Sequence, residues 1–209
     1  MPDTDTVSTN ASHIAYFGYG SLVNLATLRT PYVAAYPATL KGWRRVWLTR
    51  PAVAGSFAPE KGLAFLSVER DANSEIDGLV VIDHAASLPS LDERESLYDR
   101  HTLDRAELTI QAGGDKLDGI ASHYLYVAQP LSALGLPSPC ILRSYLDAVS
   151  QGFLTHFGSE GLRRFKETTA NFHYQIREDR LAPIYPRSVV LSADEDAAVQ
   201  ALFPLVTTA

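Results

Sequence analysis

The sequence has 209 residues, 46% of them hydrophobic and 20% charged, with a formal net charge of -6. That composition suits a soluble globular protein with a sizeable core, and an acidic balance without a Lys/Arg block argues against nucleic acid or an anionic membrane as partner. A single cysteine, Cys140, excludes an intrachain disulfide, so a reducing, cytoplasmic compartment is expected.

Residues 1–12 are polar and acidic, with neither the basic start nor the apolar run of a signal peptide, and are expected to form a loose tail. Residues 13–209 are read as one domain. No stretch approaches the ~20 apolar residues that span a bilayer.

In chain order, Ile14 to Tyr19 predicts a strand that stops in a tight turn at Gly18-Tyr19-Gly20, and Leu22 to Leu28 a short helix ended by Pro31. Leu40 to Leu48, with Trp43 and Trp47, predicts a wall strand, and Pro51 to Lys61 a loop. Leu63 to Val68 and Ile76 to Ile82 are apolar, β-branched runs around Asp71-Ala72-Asn73-Ser74, which predicts a hairpin. A helix over Leu91 to Tyr98 follows possible caps at Ser87 and Ser90. Two further strands are predicted near Asp104 to Gln111 and Ile120 to Val127, divided by Gly113-Gly114-Asp115.

From Ser138 the hydrophobic period becomes helical through Ile141, Leu142, Tyr145, Leu146, Val149 and Phe153. Gly158 is expected to end that helix, and Glu160 to Thr168 to form a shorter one. Leu181 to Leu191 reads as extended, and Ser192, followed by Asp194, Glu195 and Asp196, as the cap of a last helix. Strands joined through hairpins with helices late in the chain predict an α+β fold with a mainly antiparallel barrel or sheet.

Two strings carry chemistry. Phe17-Gly18-Tyr19-Gly20-Ser21-Leu22 puts glycines straight after a strand, where exposed N–H groups can hold an anion, though an ordinary strand-ending turn has the same composition. It lacks the third glycine of a dinucleotide site and the flanks of a nucleophile elbow. In Leu91-Asp92-Glu93-Arg94-Glu95-Ser96-Leu97-Tyr98, helical spacing puts Leu91, Arg94, Glu95 and Tyr98 on one face and Glu93 elsewhere. Glu95 facing the interior would be a candidate general base; facing solvent, the same run is a charged surface. Histidines 13, 84, 101, 123, 156 and 173 show no metal-ligand spacing.

The two strings, in this order and some seventy residues apart, resemble the γ-glutamylcyclotransferase superfamily, the first string looking most like its ChaC branch. Gly42-Trp43-Arg44-Arg45 is similar to the family's Gly-aromatic-x-Arg segment, and Gly78-Leu79-Val80 to the strand before its catalytic helix. The resemblance covers residues 14–130 well and the Ser144-Tyr145-Leu146 helix more loosely. It implies a small β-barrel with surrounding helices, a γ-glutamyl substrate held by Tyr19, Gly20, Ser21 and Leu22 with Tyr98 beside it, and Glu95 as general base. The implied reaction releases 5-oxoproline and needs neither metal nor cofactor. A non-catalytic member of the same fold, binding a small ligand or a protein, is the alternative. Arg50 to Ser56 replaces the ChaC branch's His-Arg-Gly-rich segment, which puts glutathione specificity in question. Arg177, Arg180 and Arg187 form either an Arg-rich surface or a leaving-group site that favours a carboxylate.

Overall fold

The computed structural model describes residues 12–50, 62–111, 114–128 and 139–205. The first strand, β1 (His13–Gly18), is followed by two 3₁₀ turns, Ser21–Val23 and Leu25–Thr27, in place of the expected short helix. Two long strands come next, β2 (Ala34–Arg50) and β3 (Leu63–His84), then α1 (Leu88–Arg94), β4 (Tyr98–Thr102), β5 (Leu108–Ile110) and β6 (His123–Ala128). The C-terminal part contains β7 (Cys140–Leu142), α2 (Arg143–Glu167), β8 (Thr169–Ala170), β9 (Gln175–Arg177) and α3 (Ala193–Leu202). The tail expected over residues 1–12 lies, except for Ser12, outside the described residues, as do the Pro51 to Lys61 loop and the turn at Gly113.

The nine strands among the described residues belong to one sheet, with the main path β4-β6-β1-β3-β2-β5. The architecture is α+β and mostly antiparallel, but β4 and β5 end the path as edges, so among the described residues the sheet is open rather than a closed barrel. Parallel pairing is confined to β1 with β6 and to the short contacts of β7 and β8.

The predicted hairpin at Asp71-Ala72-Asn73-Ser74 is instead a corner within one strand. Both halves of β3 pair with β2: Ile76–Ile82 lies along Ala34–Leu40, and Leu63–Arg70 along Trp43–Arg50. The register shift falls between Lys41 and Trp43, where Gly42 takes φ 78°, a conformation that costs glycine little. Opposite it, the Asp71 carboxylate accepts from the Asn73 N–H at 3.2 Å and the Ser74 hydroxyl at 2.8 Å. The turn chemistry was therefore real, but it bends a bulged ribbon rather than reversing the chain.

Other boundaries moved because pairing overrode local pattern. Cys140–Leu142, expected to open the long helix, is taken into the sheet between Leu63 and β9. The helix over Leu91 to Tyr98 stops at Arg94, and Tyr98 begins β4, an unforeseen strand paired with β6 from Tyr98↔Ala128 to Thr102↔Tyr124. At Gly158 the expected break is present, with φ 65° and ψ -170°, and α2 runs on at a new angle to Glu167. Before α3, Ser192 and Glu195 form a complete capping box.

The core lies between the sheet and α2. Trp47 is fully buried, edge-on to Tyr145 at 5.8 Å and to Phe172 at 5.7 Å. Phe153 and Phe165 stack at 4.7 Å between ring centroids. At Gly152 the helix approaches the 3₁₀ turns so closely that a Cβ would lie 2.5 Å from the Asn24 nitrogen. That approach seats α2 directly on the turn after β1.

Candidate active site

The turn after β1 is built by close contact. A Cβ at Gly18 would come within 2.6 Å of Leu22 Cβ, so glycine permits the chain to fold back here. Tyr19 turns inward and its hydroxyl donates to the Tyr126 carbonyl at 2.7 Å. Val23 N–H returns to the Gly20 carbonyl at 3.0 Å, and the Thr27 hydroxyl donates to the Ser21 carbonyl at 2.7 Å. The Asn24 amide ties the turn to α2 through the Ala148 carbonyl at 3.0 Å and Gln151 Oε1 at 2.9 Å.

Glu95 caps the C-terminus of α1, its N–H donating to the Leu91 carbonyl at 3.0 Å. Its side chain is 15% exposed, and Oε1 accepts from Arg94 Nε at 3.0 Å. Glu93 is exposed. Glu95 and the loop from Phe17 to Leu22 meet in one half-open cleft of about 50 Å³. Leu66, Tyr98, Tyr126 and Tyr145 complete its walls. The structure thus brings together Glu95, Tyr19, Gly20, Ser21, Leu22 and Tyr98, with Tyr98 arriving on a strand rather than on the helix face expected for it.

Three hydroxyls are committed. Tyr19 serves the Tyr126 carbonyl, Tyr98 donates to the Leu66 carbonyl at 3.1 Å, and Tyr126 donates to Asp92 Oδ1 at 2.7 Å. Tyr145 differs: its hydroxyl oxygen lies where a Cβ on Gly20 would be 2.9 Å away. Burial raises the hydroxyl pKa of Tyr19 and Tyr145 well above the ordinary tyrosine value, so both stay neutral.

Tyr126 had been considered, with Tyr98 and Tyr124, as a tyrosine whose hydroxyl enters the site or simply packs; Tyr145 and Leu66 were not singled out. A tyrosine at an apolar helix position and a leucine in a strand carry the signal of core residues, and only the tertiary approach distinguishes them. Of the arginines considered for a leaving-group site, Arg180 is held by Asp147 at 2.7 and 2.9 Å and by Asp196 at 2.8 Å. Arg177 is exposed on β9, and Arg187 lies over the Tyr185 ring at 5.5 Å; none of the three lines the cleft. Arg180 is consequently a structural ion-pair residue. Residues 51–56, which replace the ChaC branch's His-Arg-Gly segment, lie outside the described residues. Among the described residues no three His, Cys, Asp or Glu side chains are grouped to hold a metal ion, and no helix is long and apolar enough to cross a membrane.

The sequence matches no protein-family model and no curated protein. Solved structures do match. A gamma-glutamyl cyclotransferase superposes with TM-score 0.54 at 16% identity, covering 90% of this chain and 99% of its own. The fold is that of the γ-glutamyl cyclotransferases. An uncharacterized protein from Homo sapiens matches this γ-glutamyl cyclotransferase-like fold similarly, at TM-score 0.53 and 16% identity over 90% of this chain and 99% of that one. A yeast γ-glutamyl cyclotransferase specific to glutathione is 14% identical over 92% of this chain, with TM-score 0.45.

Proposed function

We propose that this protein is a γ-glutamyl cyclotransferase, converting a γ-glutamyl amino acid, peptide or amine to 5-oxoproline and the released amine. The observation that carries this reading is the meeting of Glu95 with the Gly18 to Leu22 loop in one cleft. In the reaction, Glu95 takes a proton from the substrate's α-ammonium group, because an ammonium has no lone pair with which to attack. The freed nitrogen adds to the substrate's own γ-carbonyl carbon and closes a five-membered ring. The proton then passes from Glu95 to the departing nitrogen as the C–N bond breaks, and the ring nitrogen gives its second proton through the same carboxylate to the released amine, which departs as an ammonium and leaves the carboxylate as it began.

Because nucleophile and electrophile belong to one molecule, most of the remaining task is to fold the glutamyl chain into an attacking shape. The loop N–H groups supply the α-carboxylate contact, and the Tyr145 hydroxyl offers a neutral donor beside Gly20. No step in this scheme needs a metal or cofactor.

The test is 5-oxoproline release from a panel of γ-glutamyl amino acids, dipeptides and alkylamines. Release from at least one class supports the reading. Binding of these compounds without release, under conditions where the protein is folded, would assign the cleft to a non-catalytic binding module instead.

A further inference from the structure

The cleft's substrate loop rests on an unusual residue. Arg45, on β2, is fully buried, yet its guanidinium lies directly beneath the loop. Nε donates to the Tyr19 carbonyl at 2.8 Å, Nη1 to the Thr168 hydroxyl at 3.1 Å, and Nη2 to the Asp77 carbonyl. On one side it packs against the stacked pair Phe153 and Phe165, whose ring centroids lie 4.9 and 5.3 Å from Cζ. The nearby Asp77 carboxylate is engaged by a different cation, Arg164, at 2.8 Å.

A buried charge of this kind costs several kcal/mol of desolvation and is a poor means of gaining stability alone. Burial lowers the Arg45 pKa to about 9, with the Asp77 charge opposing the shift, so the group remains cationic at neutral pH. The Tyr19–Gly20 peptide is trans, and its N–H therefore points away from the guanidinium that holds its carbonyl. That Gly20 N–H has no hydrogen-bond partner among the described residues. A charge-assisted hydrogen bond on one end of an amide polarises the donor on the other end.

We propose that Arg45 is a positioning residue that fixes and polarises the Tyr19–Gly20 peptide, and so sets the cleft's preference for a ligand bearing an α-carboxylate. This inference rests on the cyclotransferase reading and adds to it the device by which the loop tells a carboxylate from a neutral group. The cation acts through the peptide bond and through the dry space around it, without touching the ligand.

The experiment compares two ligands that differ only in charge, 5-oxoproline and 5-oxoprolinamide, by calorimetric titration of the whole protein. Wild type should bind the carboxylate about tenfold or more tighter than the amide, the scale of one hydrogen bond to a charged group. Arg45→Met should bring that ratio to about two or less, whereas loss of packing alone would weaken both ligands equally. Since Arg45→Met strips a buried network of its donor and is at risk of misfolding, Arg164→Gln is the second variant. It changes a partly exposed side chain, leaves the Asp77 carboxylate to offset Arg45, and should lower the ratio about threefold. An unchanged ratio in either folded variant overturns the role of Arg45, while continued 5-oxoproline release in that protein leaves the enzymatic reading intact. Equal wild-type affinity for the two ligands, or affinity for neither, also overturns it. In that case 5-oxoproline release from the γ-glutamyl panel decides separately whether the enzymatic reading falls as well.

Discussion

Glu95→Gln isolates proton transfer from structure. The side chain is 15% exposed and its Oε1 accepts from Arg94 Nε, an interaction the Gln carbonyl oxygen can retain with nearly the same shape. Loss of the ionic part of such a peripheral pair costs about 0–1 kcal/mol, at most ~2–4 °C in melting temperature for a chain of this size. The amide cannot accept the α-ammonium proton, so turnover should fall by ~10²–10⁴, corresponding to ~3–5 kcal/mol of barrier. The assay follows 5-oxoproline release with the best substrate of the panel, alongside thermal melting. Glu93→Gln, altering an exposed side chain, is the control and should leave the rate within about twofold. A Glu95→Gln protein that releases 5-oxoproline at a near wild-type rate would refute the assignment of the base.

Gly20→Ala should raise KM about tenfold or more with little change in melting temperature, because the added methyl would stand 2.9 Å from the Tyr145 hydroxyl and 3.3 Å from Leu66 Cδ2 inside the cleft. Steady-state kinetics with an unaltered KM would contradict that placement. Gly152→Ala should cost ~1–3 kcal/mol in denaturant unfolding and reduce 5-oxoproline affinity as well, since its Cβ would meet the Asn24 nitrogen at 2.5 Å and push α2 off the loop. Acid sensitivity is expected from His123, whose pKa is lowered by burial and then by the Arg105 charge, with Asp104 opposing. A histidine with a depressed folded-state pKa contributes stability that is present above its unfolded value of about 6.5 and lost as pH falls through the folded value. His123→Phe should therefore flatten the decline in melting temperature between about pH 7 and pH 5; an unchanged slope would assign the decline elsewhere.

What could be read from the sequence had causes confined to a few neighbouring residues. Ser192 with Glu195 caps a helix wherever it stands, Gly158 interrupts one, and the run into Gly18 ends a strand because the chain must turn there. The misreadings share another cause. Asp71 to Ser74 has the chemistry of a turn, and only the partner β2, bending at Gly42, decides that it becomes a corner. Cys140–Leu142 and Tyr98 fit a helical pattern locally and are captured by strands far away in sequence. For the cleft, Glu95 and the glycine loop were legible through the family resemblance. Arg45 entered that resemblance only as part of a motif, since an arginine flanked by Arg44 on a wall strand gives no sign that it is the buried one.

The corner ribbon and the cleft also differ in when they can come into being. β2 and β3 are successive in the chain and pair along nearly their whole length, so their association closes short loops first and can begin as soon as residue 84 is free. The cleft draws on residues 17–22, 66, 95, 98, 126 and 145, and Asn24 has no anchor until Ala148 and Gln151 are present. During synthesis from the N-terminus, the loop thus waits for most of the chain before it is held in shape. A polypeptide cut short ahead of α2 keeps the pairing surface of the ribbon and lacks both the Tyr145 wall and the tether of the loop. Occupancy of the cleft by ligand is accordingly a readout of a completed chain, and a ligand that binds there would draw late folding steps forward by mass action.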